Sequence, residues 1–149
     1  MAKKRQKSKF QIEKGMPISE KVAMDQTVQF CKRYDIDIGA MTAETAETAE
    51  EYLDAIVEYV RRGYIKFEKD FSITQILQDH YSDDIKEITY KKIGGKAKRA
   101  MDGYEKTEYY GKTYAVLGKA SGLGEDIIEE LTGTDLKIAE VIGMLFLQS

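Results

Sequence analysis

Leu53-Asp54-Ala55-Ile56-Val57-Glu58-Tyr59-Val60-Arg61-Arg62-Gly63-Tyr64-Ile65-Lys66-Phe67 is the stretch on which the fold class turns. Leu53, Ile56, Val57 and Val60 recur at i, i+3, i+4 and i+7, the spacing of one face of a helix. Arg61 and Arg62 stand in its last turn, where cations offset the partial negative charge of the helix end. Gly63 can adopt the left-handed conformation that stops a helix. Tyr64 to Phe67 then changes period and reads as a short strand.

Upstream, the triplet Thr-Ala-Glu occurs three times between Thr42 and Glu50. It is too short for an architectural repeat, but alanine and glutamate extend the helix toward its N-terminus. Asp35 to Ala40, with Gly39, reads as a linker. Before it, Pro17, the hydrophobic Ile18 and a capping Ser19 open another helix that ends near Tyr34. Val22, Met24, Val28 and Cys31 are its expected apolar face. Residues 1–16 read as a disordered basic arm, headed by Lys3, Lys4, Arg5, Lys7 and Lys9.

Downstream, Ser72 is positioned to cap a short helix holding Ile73, Ile76 and Leu77. Ile85, Ile88, Tyr90 and Ile93 alternate with polar residues up to Gly94-Gly95 and read as a second strand. Four helical stretches follow. The first is a short basic one from Lys96 to Asp102, and the second runs from Tyr109 to Ala120. The third spans Asp126 to Leu131 and is closed by Gly133; the last is capped by Thr134, with Asp135 in its first turn. The expected fold is mainly α, a small helical domain with a short two-stranded β-ribbon in the middle. Residues 17–63 form its helical N-terminal segment and residues 64–149 the domain that carries the ribbon.

At 149 residues the chain is long enough to bury a core without metals or disulfides. A net charge of -3 excludes a polycation that coats nucleic acid, although the arm alone is basic. The single Cys31 permits no internal disulfide, which fits a reducing, cytoplasmic setting. The basic start lacks the apolar run of a signal peptide, and no stretch is apolar enough to predict a membrane span.

Catalytic constellations are missing. His80, the lone histidine, sits in a polar turn without a nucleophile beside it and reads as a solvated side chain. Cys31 reads as a core residue. Asp79, Asp83 and Asp84 lack the glycine and distal glutamate of a calcium loop, so no metal or cofactor is expected. Gly94-Gly95-Lys96 follows a strand and precedes a helix, a weak anion-binding geometry with Lys96, Lys98 and Arg99 nearby. Gly118 to Gly124 has no strand before it and reads as turns. With Lys3, Lys4 and Arg5, that basic cluster is the candidate for weak phosphate contact, against the simpler reading of solvated charge.

Ile88-Thr89-Tyr90-Lys91-Lys92, Lys98-Arg99-Ala100-Met101-Asp102, Leu117 to Leu123, and Asp135-Leu136-Lys137-Ile138-Ala139-Glu140-Val141-Ile142 with Phe146-Leu147 form an ordered series. In this series residues 87–147 resemble the small tail assembly chaperones of long-tailed phages. Those proteins have a strand pair before the Thr-Tyr strand, where Ser72 to Tyr81 here reads as helix. The first 63 residues have no counterpart in them. The resemblance implies a non-enzymatic role: binding a tape-measure protein, keeping its long apolar helices soluble and helping to recruit tail-tube subunits. On this reading the last helix is the candidate binding surface, with Leu136, Ile138, Ile142, Leu145 and Phe146 as anchors. Filling the protein's own core is the simpler role for Ile138 and Ile142. A structural head or tail component and a small DNA-binding module are the alternatives, and a homo-oligomer is compatible with each.

Overall fold

The computed structural model describes residues 17–33, 35–36, 46–81, 85–91, 94, 99, 102 and 109–147. Among them are five helices, α1 (Glu20–Arg33), α2 (Ala46–Arg61), α3 (Tyr109–Ser121), α4 (Glu125–Glu129) and α5 (Gly133–Leu147), and three strands, β1 (Ile65–Phe67), β2 (Ile73–Ile76) and β3 (Glu87–Tyr90). The mainly helical expectation holds, but the sheet has three strands rather than two, in the antiparallel order β1-β2-β3.

Ser19 caps α1 as expected, its Oγ accepting the Val22 N–H at 3.3 Å. The buried face of α1 is Ala23, Thr27, Phe30 and Cys31. Val22 and Val28, expected to face inward, are exposed. Thr27 takes the inward position instead because its hydroxyl donates to the Ala23 carbonyl at 2.8 Å, leaving no polar atom unpaired. Both α1 and α2 end in the two-bond left-handed closure. At α1, Ile36 N–H reaches the Cys31 carbonyl at 2.8 Å, with Asp35 at φ 56. At α2, Tyr64 N–H reaches the Tyr59 carbonyl at 2.9 Å, with Gly63 at φ 81. The anticipated stripe of α2 is correct: Ile56, Val57 and Val60 are buried, with Leu53 half-buried and Tyr52 buried beside them.

The Ser72 helix is the main error of the sequence reading. Ser72 belongs to a hairpin turn in which Asp70 Oδ1 accepts its N–H at 3.0 Å and its hydroxyl at 2.7 Å. The chain then enters β2, whose Ile73, Thr74 and Gln75 are all buried. A central strand covered on both faces does not alternate, so Ile73, Ile76 and Leu77 imitate a helical spacing. Ile73 pairs with Phe67 on one side and Tyr90 on the other. The inward face of the sheet therefore carries Ile65, Phe67, Ile73, Gln75, Ile88 and Tyr90.

That face packs on the helices. Phe67 stacks on Phe30 of α1 at 4.7 Å, and Tyr90 meets Phe146 of α5 edge-on at 6.5 Å. Lys91 N–H donates to the Ala120 carbonyl at 2.9 Å, joining the end of β3 to α3. Helices α3 and α5 cross closely at Gly143, where an added Cβ would lie 2.2 Å from Thr113 Cγ2. Gly133, expected to close α4, instead begins α5 at φ 55 and displaces Thr134 from the capping position. The Gly122 turn after α3 is as expected, with φ 74. Ile93 and the Lys96–Asp102 helix fall largely outside the described residues, as do the basic arm and most of the Asp35–Ala40 linker.

Candidate functional site

The residues named from sequence as anchors do not form a surface. Ile138, Ile142, Leu145 and Phe146 are at most 2% exposed and sit in the chain's own core, while Leu136 packs against it half-buried. A helix that is apolar nearly all round is a core helix, so α5 offers its neighbours, not solvent, most of its circumference. Two residues on its remaining side, Val141 and Met144, are half-buried.

Those two line a groove of about 340 Å³ between α2, α3 and α5. Its other walls are Tyr52 and Tyr59 of α2, Tyr110 and Thr113 of α3, and Lys137 and Glu140 of α5. The spacing of seven residues brings Tyr52 and Tyr59 onto the same side of α2, next to its core stripe. The Tyr52 hydroxyl donates to the Val141 carbonyl and so ties α2 to α5. Tyr59 stacks on Tyr64 at 6.5 Å, the aromatic contact that accompanies the closure at Gly63. Tyr110 is 61% exposed, with its ring 6.2 Å from that of Tyr114. Tyr114 donates to Glu140 Oε2 at 2.8 Å. Burial, followed by that hydrogen bond and the nearby carboxylate charge, pushes the Tyr114 hydroxyl up to about 12. These rings supply large, stiff contact area with polar tips. The helix expected from Tyr109 to Ala120 holds Tyr110 and Tyr114, but their juxtaposition with α2 exists only in the tertiary fold.

A second hollow, of about 410 Å³, is lined by Ala115, Gly118, Lys119, Gly122, Gly124 and Glu125. It follows from the close approach of α4 to α3: a Cβ on Gly118 would lie 2.4 Å from the Glu125 backbone nitrogen. The glycines here serve packing and turns.

A buried polar network stands at the start of α5. Asp135, fully buried, accepts the Gln78 N–H at 2.8 Å, the Asp79 N–H at 2.9 Å and the Tyr81 hydroxyl at 2.7 Å. Gln75 donates to the Asp135 carbonyl at 2.8 Å and accepts from the Tyr90 hydroxyl at 2.8 Å. Every contact is internal and the carboxylate is satisfied, so the network fastens the loop after β2 to α5.

His80 is exposed, next to this loop. Cys31 is buried, and burial pushes its thiol up to about 11, as a core cysteine requires. Among the described residues no group of three or more histidine, cysteine or acidic side chains could hold a metal ion. Of the basic candidates, Arg99 is exposed and lies 3.9 Å from Asp102. Lys3, Lys4, Arg5, Lys96 and Lys98 lie outside the described residues, and Gly94 of the weak anion site is exposed. Among the described residues no helix is long and apolar enough to cross a membrane. Comparison with protein-family models, curated proteins and solved structures finds no match.

Proposed function

We propose that the protein is a non-enzymatic morphogenesis factor of the phage tail assembly chaperone type, and that it binds a tape-measure protein through the tyrosine-lined groove. The groove carries the proposal. Its three-helix walls present Tyr52, Tyr59, Tyr110, Val141 and Met144 together, which suits an amphipathic partner helix laid in with apolar anchors. The resemblance of residues 87–147 to tail assembly chaperones supports the choice of partner. The pairing of β1 with β2 ahead of the Ile88-Thr89-Tyr90 strand adds support, since those proteins have a strand pair there.

Co-expression with long coiled-coil fragments of a tape-measure protein tests the reading. The fragments are expected in the soluble fraction, in a complex that persists through gel filtration. Equal precipitation with and without this protein overturns it. A structural virion component would use the same groove against a neighbouring subunit; finding the protein in purified particles favours that role over a chaperone's.

A further inference from the structure

Helices α3 and α5 touch where α5 has no side chain. Gly143 is buried, and a Cβ there would lie 2.2 Å from Thr113 Cγ2 and 3.3 Å from Leu117 Cδ1. Glycine weakens the interior of a helix relative to alanine. Gly143 has no positive φ, so backbone conformation does not require it. The contact with Thr113 does. Thr113 also belongs to the lining of the groove, and Tyr110 of that lining stands one turn before it on α3. On α5, Glu140, Val141 and Met144 of the lining all lie within three residues of Gly143. The crossing and the groove therefore share the same turns of the same two helices.

The two walls of the groove are tied to α5 independently. Tyr52 fastens α2 through the Val141 carbonyl. On the other side, α3 is held by the Thr113 contact and by Tyr114, which donates to Glu140 Oε2 at 2.8 Å. An ordinary carbon–carbon contact is about 3.5–4.0 Å, so a methyl on residue 143 would move α3 and α5 apart by roughly 1–2 Å. That shift carries Tyr110 away from Val141 and Met144 and leaves Tyr52 and Tyr59 where they are. A gap of about 0.5–1 Å already forfeits roughly a quarter to a half of a dispersion contact. A helix that touches both walls of the parent groove would lose one of them.

We propose that Gly143 is the positioning residue of the tyrosine groove. By leaving its Cβ position to the Thr113 methyl, it sets the distance between the Tyr110 wall on α3 and the Val141 and Met144 floor on α5. It thereby selects a partner helix whose anchors fit that width. The consequence for binding rests on the groove being the partner site, as proposed above; the control of the groove's width does not.

The test compares the full-length parent with Gly143→Ala and with the double variant Gly143→Ala/Thr113→Ser. Serine keeps the hydroxyl and removes the methyl that the alanine meets, so the double variant exchanges one methyl for another at the same place. Amide NMR without any partner is expected to show changes in Gly143→Ala at residues 110–114 and 140–144, reversed in the double variant. Changes that leave Tyr110 unmoved, or that spread over α1 and the sheet, overturn the proposal. If Gly143→Ala does not fold, Thr113→Ser alone carries the test. Its missing methyl lets the helices close, so changes are expected across the crossing at residues 140–144, and changes confined to α3 overturn the proposal. Binding is then titrated with a peptide from a coiled-coil segment of a tape-measure protein, at a temperature where circular dichroism shows each protein folded. Gly143→Ala is expected to bind roughly tenfold more weakly, and the double variant to recover to within about threefold of the parent. Lower stability with unchanged affinity makes Gly143 a packing residue only and overturns its role in binding. A double variant as weak as the single one also overturns it, because the loss then does not come from the Thr113 contact. If the parent binds no peptide, the proposed function fails, while the amide shifts still decide what sets the groove's width.

Discussion

Asp135 shows what one residue holds together. Its carboxylate accepts three hydrogen bonds from the segment after β2, and no solvent reaches it. Asp135→Ala strands two backbone N–H groups and a tyrosine hydroxyl, and should cost about 2–4 kcal/mol in urea denaturation. Tyr81→Phe removes only one of those donors and should cost about 1 kcal/mol. Cys31 gives a pH test. Its thiol is raised from 9.0 to about 11 in the fold. The unfolded chain releases this proton first, so the contribution to stability is complete below pH 9.0 and is lost as pH rises to about 11. Native protein at pH 8 should react slowly with a thiol reagent and quickly in urea; equal rates would show that Cys31 is not buried. The identity of Cys31 as a core residue was legible in the sequence. The role of Asp135 was not: an acid in a helix's first turn is ordinarily explained by the helix end alone, and its partners lie more than fifty residues away.

Among the elements, α2 was legible because its stripe, its basic last turn and Gly63 all agree. β2 was not, because Gln75 hides a buried position behind a polar residue. Its carboxamide is paired at both ends, so nothing in its own chemistry distinguishes it from a surface glutamine. Gln75→Ala should destabilise the sheet by about 1–3 kcal/mol, because it leaves the buried Tyr90 hydroxyl without its acceptor. The crossing of α3 and α5 makes a second element-scale prediction. Gly143→Ala drives a methyl into Thr113, which is buried and β-branched and has little room to turn. Calorimetry should show a loss of about 1–3 kcal/mol, and an unchanged melting temperature would mean that the helices separate freely. The last helix is apolar as expected; Ile138 and Ile142 take the simpler core role, and Leu145 and Phe146, candidate anchors, lie in the core with them. A stripe of Ile138, Ile142, Leu145 and Phe146 is what a core needs and what a docking helix needs, and only its neighbours decide between them.

At the scale of the whole molecule, three helices distant in sequence meet to form one aromatic groove. Individual tyrosines were visible in the sequence; their convergence depends on where α2 lies against α5, which no local pattern encodes. Tyr59→Ala combined with Met144→Ala removes two walls of the groove while leaving the fully buried core in place, and should weaken tape-measure binding by about tenfold or more in calorimetric titration. Hydrogen exchange of the full chain with and without a tape-measure helix tests the central claim most directly. The account predicts added protection at residues 52–59, 110–114 and 137–144, which border the groove. Protection confined to α1 or the sheet, or none at saturating partner, would contradict it.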